Sequence, residues 1–318
     1  MRLHSKSDDA AWALSAKRLR PTHCYASKKD TQIEMNWKQL LVKKALIGRI
    51  PFIENIRLIK RKIFGYPPNT DNLELTLKHY ERIKSSIEQS NKTIKESIIL
   101  EIGSGWFPTI PILLARDGAK RIFMSDLNVH MDNITFSATS DYLKNRFPND
   151  EFVQKIENIA PLPIEYLAPF DSSILPDKTL DLVISRTVLE HIPKNDIYTL
   201  FSSLRRKISE RGIMVHLIDH SDHFEHHDKS ISKLNFLTWS EEKHALINFL
   251  ARDGENRMRH HEYHQIFVDS GFEVIGEETD LHKETMEKIK ELELVYPYSL
   301  MLPEQLAILT SIYILKPA

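Results

Sequence analysis

Apolar residues occur along this chain either in short runs or at helical spacing, and the two patterns alternate. The short runs predict β-strands, and they lie at Ile98–Leu100, in a run ending at Asp126, and at Ile164–Ala168, the start of Leu180–Pro193, Arg211–Asp219, Gly271–Glu278 and Leu309–Pro317. Helical spacing appears at Leu73–Ile87, ahead of the first run, and again between Gly105 and Gly118. Strands that alternate with helices predict an α/β fold with a largely parallel sheet.

The segment around the first two strands carries the strongest chemical signal. The first run ends in Glu101, Gly103 and Gly105 follow one residue apart, and the second run closes on Asp126. Glycines accept backbone angles that side chains forbid and let a ligand approach the main chain. An acid at the tip of the second strand can accept hydrogen bonds from two ribose hydroxyls. The segment therefore predicts a site for a nucleoside-containing cofactor at the carboxyl edge of the sheet.

The residues after Gly105 narrow the choice of cofactor. A dinucleotide turn has the form G-x-G-x-x-G, but here Trp106, Phe107 and Pro108 follow and the third glycine is missing. No P-loop sequence occurs in the chain. The E-x-G-x-G form resembles motif I of class I S-adenosylmethionine-dependent methyltransferases. The alternative is an ordinary strand-to-helix turn without a ligand.

Downstream segments extend this resemblance over roughly residues 70–318. Leu180–Pro193 looks like the fourth-strand motif of the family, and Asp171 with Ser172 stands where its members place an acid against the adenine amino group. The resemblance implies a Rossmann-like, seven-stranded methyltransferase sheet with a closing antiparallel pair. It also implies that Glu101, Gly103, Gly105, Asp126, Asp171 and Ser172 bind S-adenosylmethionine.

Histidines and acids crowd the end of the fifth strand. The segment Ile218–Asp228 contains four His and three Asp, and histidine is the usual base near neutral pH. With the later segment Asn256–Arg259, it resembles bacterial methyltransferases encoded among glycan and lipopolysaccharide genes. We expect His223 to be the catalytic base, with Asp219 or Asp222 orienting it, and Asn256 and Arg257 to contact the substrate.

Each of these assignments has a structural alternative. A His-rich loop is often solvated surface, and Arg257 could form a structural ion pair. His191, a few residues after the fourth strand, could face the cleft, cap a helix or lie in the core. Asp219, Asp222, His223, His226 and His227 could bind a metal ion, but their spacing matches no closed zinc pattern. We therefore expect no metal. Residues 220–270 are too long for a simple connection and predict a substrate-recognition insert, with helices around Trp239–Leu250 and Met258–Ser270.

Composition and charge define three regions. Residues 1–34 lack apolar periodicity and predict a disordered tail, residues 35–70 predict a basic amphipathic helical extension, and residues 71–318 predict the methyltransferase domain. Residues 1–68 hold 15 Lys and Arg against 5 Asp and Glu, whereas the whole chain has a net charge of −1. The single cysteine, Cys24, and the lack of a secretory signal predict a cytoplasmic protein.

The basic extension leaves three interpretations open. It could cap the catalytic domain, with Pro51 breaking or kinking its helix, or residues 36–64 could contact an anionic membrane surface peripherally. A nucleic-acid partner is not expected, because no aromatic residues interleave the basic run.

These observations predict an S-adenosylmethionine-dependent methyltransferase that modifies an oxygen of a sugar, a glycan or another small metabolite. The first alternative is a non-catalytic binding protein with the same fold. The second is an NAD-dependent oxidoreductase, which the missing third glycine argues against.

Overall fold

The computed structural model describes residues 36–47, 49, 50, 53, 59 and 69–318. The tail predicted at residues 1–34 lies outside the described residues, as does most of 48–68. The helices are α1 (Trp37–Ile47), α2 (Thr70–Gln89), α3 (Thr109–Arg116), α4 (Asn133–Arg146), α5 (Glu151–Gln154), α6 (Lys194–Lys207), α7 (Glu241–Ala251), α8 (His260–Asp269), α9 (Lys283–Lys288) and α10 (Pro303–Leu306). The strands are β1 (Ile98–Ile102), β2 (Arg121–Ser125), β3 (Ile164–Leu167), β4 (Leu180–Arg186), β5 (Ile208–Asp219), β6 (Phe272–Leu281) and β7 (Ile308–Pro317).

The strands form one seven-stranded sheet in the order β3-β2-β1-β4-β5-β7-β6. The first five strands of the chain pair in parallel, and β7 runs antiparallel between β5 and β6. The predicted α/β fold with a closing antiparallel pair is confirmed, including the short third strand. Because β1, β2, β4 and β5 end at the same edge, that edge collects the residues that follow each strand.

Side chains on the strands alternate between two apolar cores, one on each face of the sheet. Ile99 and Leu182 join the core under α2, α3 and α4, whereas their neighbours Leu100 and Val183 join the core under α6 and α8. Such continuous apolar strands are expected where helices cover both faces of a sheet. Helix α2 begins at its cap Asn69, whose side chain accepts hydrogen bonds from two backbone N–H groups.

A third apolar core, distinct from the two cores on the faces of the sheet, is built mainly from the predicted insert. It contains Phe224, Phe236 and Trp239 and is completed by Leu306 and Leu309 from the end of the chain. The two helices expected in the insert are present as α7 and α8, each shifted by one or two residues from the predicted bounds.

Helix α1 packs on this third core, as expected for a cap. The Trp37 ring stacks on Trp239 with 5.3 Å between centroids, and the Trp37 backbone N–H donates to Asp228 at 2.8 Å. Val42 and Leu46 are exposed on the outer side. None of the helices in the described part of the chain has the length and apolarity that a membrane crossing requires. Peripheral membrane contact through residues 36–64 stays a prediction.

Candidate active site

The turn after β1 uses its two glycines for different purposes. Gly103 and Gly105 have φ angles of 70° and 67°, in the left-handed region that favours glycine. A Cβ added to Gly103 would lie 2.4 Å from Cγ2 of Val188, whereas one added to Gly105 would meet no atom within 4 Å. Gly103 therefore permits close packing, and Gly105 leaves open space beside the main chain.

Asp126 lies directly after β2 and faces this turn. Its Oδ2 accepts a hydrogen bond from the Gly105 backbone N–H at 3.0 Å, and its Oδ1 lies 3.5 Å from Nε2 of His130. The His130 ring in turn lies 4.8 Å from the Trp106 ring. The turn and the acid thus hold each other in place, and the carboxylate keeps 13% of its side-chain surface exposed.

Glu101 is buried near the end of β1 and helps to line a cavity of about 490 Å³. The Ser104 hydroxyl donates a short hydrogen bond to its carboxylate. Burial raises the pKa of Glu101 to about 7, although the bond from Ser104 acts in the opposite direction. Gly103, Gly105, Arg186 and Thr187 also line this cavity. Three of the residues predicted to bind the cofactor thus line this cavity, whereas Asp126 does not.

Asp171 and Ser172 occupy a less direct position. The Asp171 carboxylate is exposed and accepts a hydrogen bond from the Ser173 backbone N–H at 2.8 Å, which lowers its pKa. The Ser172 hydroxyl donates to Ser203 on α6. Neither residue lines the 490 Å³ cavity, although the preceding Phe170 donates its backbone N–H to the Asp126 carbonyl. Asp171 thus stands beside the acid of β2, and Ser172 faces a helix.

A second cavity, of about 330 Å³, adjoins the first and shares Asn72, Arg186 and Thr187 with it. Its other lining residues, with Leu75 the one apolar member, are Lys44, His79, Glu190, His191, Asp219, His223, His226, His227 and Asp253. These residues come from α1, α2, the ends of β4 and β5, and the insert. The expected grouping of His223 with Asp219 at the sheet edge is therefore present.

The partner that orients His223 differs from the expected ones. Asp222 is fully buried, and its carboxylate accepts hydrogen bonds from the Phe224 backbone at 2.8 Å and the Asn235 side chain at 3.2 Å. Burial raises the pKa of Asp222 to about 6. Asp219 is bonded to the Ser221 backbone and hydroxyl. These carboxylates hold the loop in shape and form no hydrogen bond to the His223 ring.

Asp253, which sequence reasoning missed, faces the His223 ring instead. Its Oδ1 lies 3.4 Å from Nδ1 of His223 and 3.2 Å from Nδ1 of His191, and its Oδ2 accepts a bond from Lys44 at 3.0 Å. Although burial acts to raise the pKa of Asp253, the bonds from the two imidazoles hold it well below its usual range. Asp253 therefore links α1, the turn after β4 and the loop after β5.

Asn256 and Arg257, the expected substrate contacts, are engaged within the protein. Asn256 donates to the carbonyls of Leu189 and Ile192, both at 2.9 Å, and so fixes the turn after β4. Arg257 is buried and donates to the carbonyls of Phe236 and Trp239 and to the Glu241 carboxylate. Neither side chain lines the two cavities. Neighbours in the insert use the donors of these side chains, and substrate contact by either residue stays a prediction.

Arg186 ends β4, and Glu190 and His191 lie in the turn that follows it. All three line the second cavity, whereas Asn256 and Arg257 do not. Of the three, sequence reasoning singled out only His191. The signal that could have found the other two is their position directly after a parallel strand, where ligands of open α/β sheets bind.

A family model described as a methyltransferase domain matches residues 77–277, which is more than half of the chain. The chain belongs to this methyltransferase family. The match and the strand order together confirm the prediction of a class I S-adenosylmethionine-dependent methyltransferase. No curated protein matches this methyltransferase.

Solved structures similar to this methyltransferase include magnesium protoporphyrin IX methyltransferase from Synechocystis with bound S-adenosylhomocysteine. The identity is 14%, the likeness covers 86% of this chain and 100% of that chain, and the TM-score is 0.45. An S-adenosylmethionine-dependent methyltransferase from Mesorhizobium loti is 14% identical, with 73% and 96% covered and a TM-score of 0.42. Geranyl diphosphate C-methyltransferase from Streptomyces coelicolor is 11% identical, with 77% and 80% covered and a TM-score of 0.45. These scores are too low to carry an argument about the acceptor.

Proposed function

We propose that this enzyme transfers the methyl group of S-adenosylmethionine to a hydroxyl oxygen of a sugar, a glycan or another small metabolite. The observation that carries the proposal is that the two cavities are neighbours, because Asn72, Arg186 and Thr187 line both of them. A cofactor in the first cavity and an acceptor in the second would therefore lie next to each other beside these three residues. A volume of about 330 Å³ suits a small ligand or one residue of a glycan.

The lining of the second cavity supports a polar acceptor. Apart from Leu75, every lining residue can donate or accept a hydrogen bond through its side chain. A sugar presents several hydroxyls and so can satisfy such a wall, whereas an apolar acceptor would leave many buried polar groups without partners.

The residues around the first cavity fit the cofactor. Asp126, which is bonded to the Gly105 N–H beside this cavity, would accept hydrogen bonds from the ribose hydroxyls. The open flank of Gly105 would admit the amino acid part close to the main chain. Glu101 would hold the turn through Ser104. Asp171, beside the end of β2, remains the proposed contact of the adenine amino group, with Ser172 next to it.

The reaction is an in-line displacement. A lone pair of the acceptor oxygen forms a bond to the methyl carbon while the carbon–sulfur bond breaks and its electron pair stays on sulfur. Asp253 accepts from Nδ1–H of His223, so the proton of the hydroxyl would go to Nε2 of the neutral ring, which lies 3.7 Å from the Glu255 carboxylate. Much of the rate would come from holding the two reactants in line.

The test measures methyl transfer and cofactor binding separately. Labelled S-adenosylmethionine is incubated with the full chain and a panel of nucleotide sugars, oligosaccharides and small hydroxylated metabolites, and calorimetry compares S-adenosylhomocysteine with NAD. We expect S-adenosylhomocysteine to bind, NAD not to bind, and one sugar-containing acceptor to become labelled. Tight NAD binding would favour the oxidoreductase alternative, and cofactor binding without any labelled acceptor would favour the non-catalytic one.

The role of His223 is tested on the acceptor so found. His223→Ala should lower turnover by roughly 10²–10⁴-fold and leave the affinity for S-adenosylhomocysteine unchanged. The matched control is His261→Ala, which removes an exposed histidine outside both cavities and should have no effect. Full activity of His223→Ala would show that another group takes the proton.

A further inference from the structure

We propose that Glu190, His191 and His223 form a site for one divalent transition-metal cation of the Zn²⁺ type in the 330 Å³ cavity. One ligand atom from each of the three side chains lies within 4.8 Å of the others. Glu190 and His191 belong to the turn after β4, and His223 to the loop after β5. Because β4 and β5 are parallel neighbours, their ends bring these two segments together.

Glu190 is the second, independent observation that points to a cation. It is 2% exposed, yet it lines the cavity, and neither of its carboxylate oxygens has a hydrogen-bond partner from another described residue. Buried polar groups are almost always partnered, because an unpartnered one loses its hydration without compensation. Burial raises the pKa of Glu190 to about 8, with the charge of Asp219 acting in the same direction. A cation would supply the missing partner.

Asp253 prepares both imidazoles for such a ligand. Nδ1 of His191 lies 3.0 Å from the Asp253 carbonyl and 3.2 Å from its carboxylate, and Nδ1 of His223 lies 3.4 Å from the same carboxylate oxygen. These partners only accept, so Nδ1 of each ring carries a proton and a neutral ring keeps its lone pair on Nε2. In His223 this Nε2 lies 3.7 Å from the buried Glu255 carboxylate. The two ring centroids are 4.7 Å apart. A carboxylate behind a ligating imidazole fixes its tautomer and orientation at metal sites.

The donor set selects the kind of ion. Two imidazoles and one carboxylate suit Zn²⁺ and its first-row neighbours better than Mg²⁺, which prefers oxygen ligands. Three protein ligands leave a coordination position open for water or an acceptor hydroxyl. The set shares only His223 with the combination considered from sequence, which was Asp219, Asp222, His223, His226 and His227, and it replaces the expectation of no metal.

The use of the ion in methyl transfer rests on the proposed function, whereas the site itself does not. A hydroxyl oxygen bound to the cation would lose its proton more readily. The Nε2 lone pair of His223 would then be engaged in coordination. His223 would therefore act as a ligand in the metal-bound protein and as a proton acceptor only in the metal-free protein.

The experiment measures metal binding without cofactor or acceptor. The full chain is treated with a chelator, the chelator is removed, and ZnCl₂ is titrated by calorimetry; Co²⁺ serves as a second probe through its visible absorption. Wild-type protein should bind one equivalent. Glu190→Gln, which keeps the shape and removes the charge, should weaken Zn²⁺ binding at least tenfold. His227→Ala removes an imidazole that lines the same cavity outside the cluster and should keep the wild-type affinity for Zn²⁺.

Three results would overturn the proposal: no stoichiometric binding by wild type, equal affinity in Glu190→Gln, or an equal loss in His227→Ala. Binding of S-adenosylhomocysteine by each variant confirms that it is folded. If Glu190→Gln fails this check, His223→Asn takes its place with the same expected loss. Because the titration contains no acceptor, stoichiometric Zn²⁺ binding would stand even if no methyl transfer were found.

Discussion

The two glycines of the turn after β1 allow a sharp test of the cofactor site, because their backbone strain is the same and their surroundings differ. Gly103→Ala and Gly105→Ala both place a side chain at a φ near +70°. This costs about 1–2 kcal/mol in each variant. The Cβ at Gly103 would also lie 2.4 and 2.6 Å from the two methyl carbons of Val188. Overpacking of this kind adds about 1–3 kcal/mol.

We therefore expect Gly103→Ala to lose about 2–5 kcal/mol of unfolding free energy and Gly105→Ala only about 1–2 kcal/mol. Cofactor affinity should follow the opposite order. The Cβ of Gly105→Ala enters open space beside the cavity, so S-adenosylhomocysteine should bind at least tenfold more weakly, or about 1.4 kcal/mol. Urea unfolding and calorimetry measure the two effects on the same protein samples.

A double-mutant cycle separates the clash from the backbone strain. Val188→Ala removes both methyl carbons that the new Cβ meets, so Gly103→Ala combined with Val188→Ala should recover about 1–3 kcal/mol relative to additive effects. No such coupling is expected between Gly105→Ala and Val188→Ala. Wild-type cofactor affinity in Gly105→Ala would refute the placement of the cofactor in this cavity.

Three further predictions concern Asp126, Arg257 and His216. Asp126→Ala should weaken S-adenosylhomocysteine binding by about 1.5–3 kcal/mol, measured by calorimetry, because charged acceptors of the ribose hydroxyls are lost; unchanged binding would contradict the assignment. Arg257→Ala should lower the unfolding free energy, measured in urea, by about 1–3 kcal/mol for each of the Phe236 and Trp239 carbonyls left unpaired, and should leave the KM for the acceptor unchanged. A raised KM with unchanged stability would indicate a substrate contact instead. Burial lowers the pKa of His216 to about 3. Below about pH 6.5, therefore, this histidine binds a proton in the unfolded chain but not in the native state. The contribution of His216 should lower the unfolding free energy by about 1.4 kcal/mol for each unit by which the pH falls. Urea unfolding at pH 6.5 and 5.0 should show a smaller fall in His216→Leu than in wild type, and equal slopes would exclude His216 as a cause.

The cofactor half of the molecule could be predicted from sequence because local patterns determine it. The Gly103 and Gly105 spacing fixes the turn, and the apolar run before Asp126 fixes the strand that presents the acid. The bond from Gly105 to Asp126 then follows from two parallel neighbouring strands. Little packing information is needed to reach that arrangement.

The acceptor half could not be predicted in the same way, because contacts between distant segments form it. Asp253 lies 30 positions from His223 in a turn without apolar periodicity, so nothing local links the two. Arg257 has the composition of a substrate contact, and only the packing of the insert shows that its donors are used within the protein. The residue types thus indicated a site rich in histidines and acids at the sheet edge, but not which of these side chains contact one another there.

The link from Lys44 through Asp253 to the two imidazoles has a consequence for how acceptor preference can be inherited or transplanted. Lys44 and Asp253 are 209 positions apart, and Trp37 and Asp228 are 191 apart, yet both pairs join α1 to the insert. If the insert alone were transferred to another methyltransferase, Trp37 would not be transferred with it and Asp253 would lose its bond from Lys44. If the second cavity binds the acceptor as proposed, a change of acceptor specificity would require both distant stretches to be exchanged together, while the segment around the first cavity could be left unchanged.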